Sequence, residues 1–198
     1  MYKPWRFWIA LAAAGCASPT PQVSAPVGNG PGAVPRYTAE GELLRPDGFE
    51  RWTFVGASIG LSYADGAPKD EPGVLHNVFV QPESFDAYLG TGRFPEKTVF
   101  ALALHEPRQR ESINKQGYFE GDLVALEVAV KDAGRFKEGW AYFDFGKGGL
   151  DSSARAKPAK ACHSCHVEHG ADDNVFVQFY PPLRAALAAK NVEKSGAR

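Results

Sequence analysis

The chain has 198 residues, 44% hydrophobic and 23% charged, with 22 basic and 23 acidic side chains and a net charge of -1. That length suits one domain with a real core plus appendages, and the composition is globular. No long basic run exists, so nucleic acid is not an expected partner.

Residues 1–16 read as an export signal. Lys3 and Arg6 give a positive start, and residues 7–15 form an apolar run too short to cross a membrane. The run ends in Ala13-Ala14-Gly15-Cys16, close to a bacterial lipobox except that Leu is usual at its first position. Either Cys16 is lipidated and anchors the protein to a membrane, or cleavage falls near Ala17. Both readings take the mature chain out of the cytoplasm, to the periplasm. Residues 17–42 are rich in Pro, Gly, Ser and Ala without periodicity, the composition of a linker. The folded domain is expected over residues 43–189, with a disordered tail at 190–198.

Strand signals dominate the first part of the domain. Residues 52–61 alternate partly, and residues 75–81 alternate well. Pro82 then opens a short helix through Tyr88, which Thr91-Gly92 ends. Further strands are expected at 98–105, 118–131 and 140–145. The last third turns helical, at 160–168 and again at 177–190, the second stretch interrupted at Pro181-Pro182. Short turns between strands and few helices predict an α+β domain around an antiparallel β-sheet.

The chemistry sits at Cys162-His163-Ser164-Cys165-His166, a C-x-x-C-H motif. Two thiols three positions apart on a helical turn can each bond one vinyl group of a haem. The next imidazole then faces the iron. The motif predicts one covalent haem c, with Cys162 and Cys165 as attachment points and His166 as iron ligand. Two alternatives use the same residues: a zinc site adding His169, and a redox disulfide between the two cysteines.

The opposite side of the iron is open to question. Met1 is the only methionine and leaves with the signal, so no Met ligand is expected in the mature chain. His105 lies beside Glu106-Pro107-Arg108, which suggests an exposed turn. His76 lies within a strand and shares its face with Val78 and Val80, so it can line a distal pocket or serve as an ordinary hydrogen-bonded histidine. An open sixth position, able to bind or transform a small ligand, is the leading expectation. Glu127 stands in the apolar run 124–130, on a face shared with Leu123, Ala125 and Ala129. It is either an acid/base group beside the iron or a paired or solvent-facing carboxylate.

Several segments resemble the cytochrome P-460 family. They are Val78-Phe79-Val80-Gln81-Pro82-Glu83, Thr91-Gly92-Arg93-Phe94, Gly117-Tyr118-Phe119, Leu126-Glu127, Ala129-Val130-Lys131-Asp132, Arg135-Phe136, Trp140-Ala141-Tyr142-Phe143, the C-x-x-C-H segment and Asp173-Asn174-Val175-Phe176-Val177-Gln178-Phe179-Tyr180-Pro181. The resemblance spans residues 43–187. It implies an antiparallel-sheet c-haem protein, usually a homodimer, with His166 as proximal ligand. Family enzymes oxidise hydroxylamine and carry a lysine cross-linked to the haem. Relatives called cytochromes c′-beta lack the cross-link and bind nitric oxide or carbon monoxide. Counting from Thr98-Val99 puts Leu102 where the enzymes have the lysine, and Glu127 matches the family's distal glutamate. The resemblance thus implies a binder of nitric oxide or carbon monoxide. The alternatives are an oxidoreductase acting on hydroxylamine or nitric oxide through Glu127 and His76, with a redox partner protein, and an electron-transfer cytochrome with His76 as sixth ligand.

Overall fold

The structure, a computed structural model, describes residues 35–61 and 72–196. The expected export signal, Cys16 and most of the linker lie outside the described residues. Five strands pair antiparallel in chain order: β2 (Thr53–Ile59), β3 (Leu75–Val80), β4 (Val99–Arg108), β5 (Phe119–Lys131) and β6 (Trp140–Lys147). Two-residue strands β1 (Leu43–Leu44) and β7 (Ser153–Ala154) pair with each other beside this sheet. The helices are α1 (Pro82–Thr91), α2 (His163–His169) and α3 (Pro181–Gly196). The architecture is the expected α+β class with an antiparallel sheet.

Alternation along the strands gives the sheet two different faces. One face carries Ala101, Ala103, Leu126, Val128 and Phe143, which pack with Leu43, Phe49 and Ala154. The other carries Val78, Val80, Phe100 and Tyr142, covered by Tyr88 of α1, Leu183 of α3 and Val177. Stacked Tyr88 and Phe94, with ring centroids 4.1 Å apart, and the edge-on pair Phe94 and Phe100 at 5.3 Å fill the space between α1 and the sheet. Pro82 starts α1, and Gly92 at φ 66° ends it, its N–H donating to the Tyr88 carbonyl at 2.8 Å.

Several boundaries differ from expectation, each for a local reason. The partial alternation of residues 52–61 reflects a bulge between Phe54 and Gly56 in β2. β4 does not turn at His105. It continues through Pro107, which a sheet edge tolerates because β3 ends its pairing at His105 and asks no N–H of position 107. His105 is therefore held rather than exposed, its Nδ1 3.0 Å from the Gly121 carbonyl and its Nε2 3.3 Å from Glu120. A register shift after Leu104 moves Leu123 to the opposite face from Glu127, where it packs on the apolar cluster. The pair Pro181-Pro182 starts α3 instead of interrupting a helix, since Pro lacks only an N–H that the first turn leaves unpaired. α3 also runs into the expected tail, and Lys190 is bound by Asp172 at 2.6 and 2.7 Å. The fold begins before residue 43, because Tyr37 bridges to Leu43 and packs on the core.

Candidate cofactor site

A 3-10 turn at Ala159–Ala161 leads into α2, placing Cys162 at its N-terminal cap and Cys165 and His166 on its body. Both cysteines are free thiols, partly buried. Burial pushes the Cys162 thiol up, and Glu127 adds to the effect while Lys157 opposes it. The charged side chains of β5 and the segment after β7 therefore lie within electrostatic reach of the first cysteine.

The His166 ring lies between two aromatic rings, Tyr142 of β6 and Phe176, each with its centroid 4.4 Å away. Its Nδ1 is 2.8 Å from the carbonyl oxygen of Asn174. A carbonyl can only accept, so this contact puts the ring proton on Nδ1 and leaves the Nε2 lone pair for a metal. Burial holds the imidazole below its ordinary pKa of 6.5, with the Asn174 carbonyl pulling weakly upward. The ring is thus neutral near pH 7, as an iron ligand must be.

The sequence-derived residues Glu127, His76 and Leu102 share the sheet face that meets this segment. Leu102 pairs with Val78 on one side and Glu127 on the other, and Glu127 pairs with Asp144. Phe100, Ala129 and Tyr142 form the row below, and His76 pairs with Leu104 in the row above. His76 and Glu127 lie one row apart on strands separated by β4, and those strands are themselves roughly 10 Å apart at two strand spacings. They share a face without forming a pair. His105 belongs to the opposite face, so the sheet separates it from His166.

His76 is 8% exposed, and its buried Nδ1 has no hydrogen-bond partner among the described residues. Burial holds its pKa below 6.5, against a weak pull from the Val74 backbone. Glu127 keeps contact with solvent, yet protein atoms crowd its carboxyl. That crowding, then the like charge of Asp144, pushes its pKa up, while Lys157 draws it down. Lys157 bonds Asp144 at 2.9 Å, and this hydrogen bond lowers Asp144.

Several site residues escaped the sequence reading. Tyr142 and Phe176 wall the histidine. Asn174 acts through its backbone, which no side-chain pattern reveals. Asp144 and Lys157 set the charge around Glu127, and only the strand register brings them there. His163 Nδ1 and the Tyr142 hydroxyl are buried without partners among the described residues. Among the described residues, no group of three or more His, Cys, Asp or Glu converges to hold a metal ion, so the four-ligand zinc arrangement is not assembled. His169 instead lies 3.8 Å from Glu168 at the surface.

The cytochrome P460 family model matches residues 46–177, about two thirds of the chain. The chain belongs to the cytochrome P460 family. It is a c-type haem protein, and the site's donors fit that cofactor: two adjacent free thiols on one turn, and a half-buried imidazole with its proton fixed on Nδ1. The buried, unpartnered Tyr142 hydroxyl and His163 Nδ1 fit as well, since a bound group can offer them partners. The chain is also similar to the type-1 angiotensin II receptor-associated protein of Rattus norvegicus. That likeness is 28% identity over 124 residues, covering 55% of this chain and 72% of that protein. At this identity it assigns no function to this member of the P460 family.

Proposed function

We propose that this cytochrome P460 family member holds a single haem through thioether bonds from Cys162 and Cys165, with His166 Nε2 on the iron, and that its other side receives a small neutral ligand such as nitric oxide or carbon monoxide. The bound haem would supply an iron with one exchangeable position. The residues do the rest. Asn174 orients the imidazole. Tyr142 and Phe176 flank it and exclude water. Leu102 presents an apolar side chain between Val78 and Glu127, at the position where the family's enzymes carry a cross-linked lysine.

That leucine carries the proposal, because an apolar wall favours neutral diatomic ligands and offers no amine for a further covalent bond. Visible spectra of the purified protein test it. A high-spin ferric spectrum, with clear shifts on adding carbon monoxide or nitric oxide to the ferrous form, is the expected result. A low-spin spectrum unmoved by either gas would sink the open-site reading and favour His76 as a sixth ligand in an electron-transfer protein. Mass spectrometry of the haem peptide is expected to find attachment to Cys162 and Cys165 alone.

A second reading is an oxidoreductase acting on hydroxylamine or nitric oxide. The upward-shifted Glu127 carboxyl favours it, because burial holds it closer to the protonated form that can donate a proton to a bound substrate. Steady turnover of hydroxylamine with an electron acceptor, abolished in Glu127→Gln, would move the assignment to this reading. Export to the periplasm, a lipid anchor at Cys16, a homodimer and a redox partner protein belong to the same proposal. Loss of labelled lipid from a Cys16→Ser variant tests the anchor.

A further inference from the structure

The turn that follows α2 carries an unusual backbone. Asp173 and Asn174 both adopt left-handed conformations, with φ of 49° and 60°. Asp and Asn are the non-glycine residues that take this region most readily, and two in succession make a tight turn whose placement is fixed by its surroundings. Here the surroundings are specific. Asp172 and Val175 bridge across the turn, with the Val175 N–H donating to the Asp172 carbonyl at 2.9 Å. Asp173 Oδ2 accepts from Lys131 Nζ at 2.6 Å, and its Oδ1 accepts from Trp140 Nε1 at 3.2 Å.

Those two donors are themselves a cross-strand pair, Lys131 ending β5 opposite Trp140 at the start of β6. Lys131 also donates to the Phe94 carbonyl at 2.8 Å, so its ammonium is anchored independently of Asp173. The ion pair is largely sheltered, with the Lys131 and Asp173 side chains 18% and 28% exposed. The neighbouring carboxylate points the other way, Asp172 binding Lys190 of α3 and the Tyr88 hydroxyl at 3.0 Å. At the far end of the turn, Gly170 lets the backbone close on the helix. A Cβ there would stand 2.6 Å from the His166 carbonyl oxygen and 2.8 Å from the Asn174 carbonyl carbon.

We propose that Asp173, gripped by Lys131 and Trp140, is a positioning residue for the His166 imidazole. It ties the turn to the sheet so that the Asn174 carbonyl meets His166 Nδ1. The carbonyl withdraws the Nδ1 proton slightly and makes Nε2 a stronger donor to iron. The donor strength of His166 Nε2 toward an iron would thus be set from the β5–β6 pair, through one carboxylate and one tight turn. The inference rests on the reading of His166 as iron ligand.

Two variants of the purified haem-loaded protein test it: Asp173→Asn and Lys131→Met. The decisive readout is the iron–histidine stretching frequency of the ferrous protein by resonance Raman, with the midpoint potential as a second. Both variants loosen the turn, so both are expected to lower that frequency, although one removes a negative charge and the other a positive one. An unchanged frequency in either variant overturns the proposal. So does a pair of frequency shifts in opposite directions, which charge alone would produce. Trp140→Phe keeps the ring and removes one hydrogen bond; it is expected to give a smaller fall and serves if either charge variant does not fold. Mass analysis comes first. A wild-type protein without haem on Cys162 and Cys165 refutes the parent reading. Full attachment with an unmoved frequency refutes only the positioning role.

Discussion

Alternate residues of the same strands build two faces with opposite character. On one face Ala103, Leu126, Val130 and Phe145 are wholly closed off, and the buried members of their cluster are all apolar, with the unpaired Tyr37 hydroxyl only at its margin. On the other, His76 and Tyr142 bury polar atoms that find no partner among the described residues, and Glu127 is pushed toward its neutral form. Unpaired buried polar groups cost stability. The first face therefore carries the fold, and the second is free to carry chemistry. The difference teaches where substitutions will act: on stability through one face, on cofactor and ligand through the other.

The largest expected effect lies with the cysteines. Replacing both, as Cys162→Ala with Cys165→Ala, is expected to abolish covalent haem. The check is whether haem absorbance stays with the polypeptide on a denaturing gel. Retained absorbance would remove the proposed attachment. The comparison predicts the reverse for the apolar face. Phe143 is 1% exposed in that core, and Phe143→Ala should cost about 3–5 kcal/mol in a denaturant titration. Haem attachment in the fraction that folds should be unchanged.

A neighbouring residue sharpens the contrast. Tyr142 follows Ala141 and precedes Phe143 but faces the cofactor segment, and its hydroxyl is unpartnered. Burial raises the pKa of that hydroxyl, so it stays protonated. Removing an unpaired buried group should cost nothing. In the haem-free protein, Tyr142→Phe is expected to leave stability unchanged or raise it by about 1 kcal/mol. A loss larger than about 1 kcal/mol in the haem-loaded protein would mean that the hydroxyl is hydrogen-bonded there.

The apolar face was the more legible of the two in the sequence. Alternation in 75–81 gives β3, the apolar run within 98–105 gives the first part of β4, and Pro82 and Gly92 mark the ends of α1. The misses came where pairing, not pattern, decides. Leu123 changes face because of a register shift in β5, and two-residue strands such as β1 and β7 are too short to show periodicity. The cofactor motif was legible because its chemistry is written in contiguous residues. Its support was not. Asn174 contributes a carbonyl, and Lys131 and Trp140 come from strands remote in sequence, so no spacing rule joins them to His166.

Acidity around Glu127 gives a smaller effect with a fixed sign. Asp144 raises the Glu127 pKa by like charge and also occupies Lys157. Asp144→Asn removes the repulsion and releases the ammonium, so both consequences lower the Glu127 pKa. Lys157→Met removes the one attractive charge and raises it. The pH profile of ligand binding should therefore move to lower pH in the first variant and to higher pH in the second. Profiles that move together would mean that Glu127 does not govern binding.

The smallest effect concerns His76 and the dependence of stability on pH. Burial holds its folded pKa below the ordinary 6.5. Between those two values the unfolded chain binds more protons than the folded one, so stability rises with pH across that window. The contribution of His76 is full above about pH 6.5 and is lost as pH falls through its folded pKa. If iron engages His166 Nε2, as proposed, that ring does not titrate in the haem-loaded protein, which leaves His76 as the buried histidine on this face that responds. Melting temperatures measured near pH 7 and near pH 5 should therefore differ less in His76→Gln than in the wild type. If the two proteins lose the same stability over that interval, His76 is already charged or ligated in the folded state. Ligation by the iron would give a low-spin spectrum that His76→Gln converts to high-spin, so the same variant separates a poised, neutral histidine from a sixth ligand.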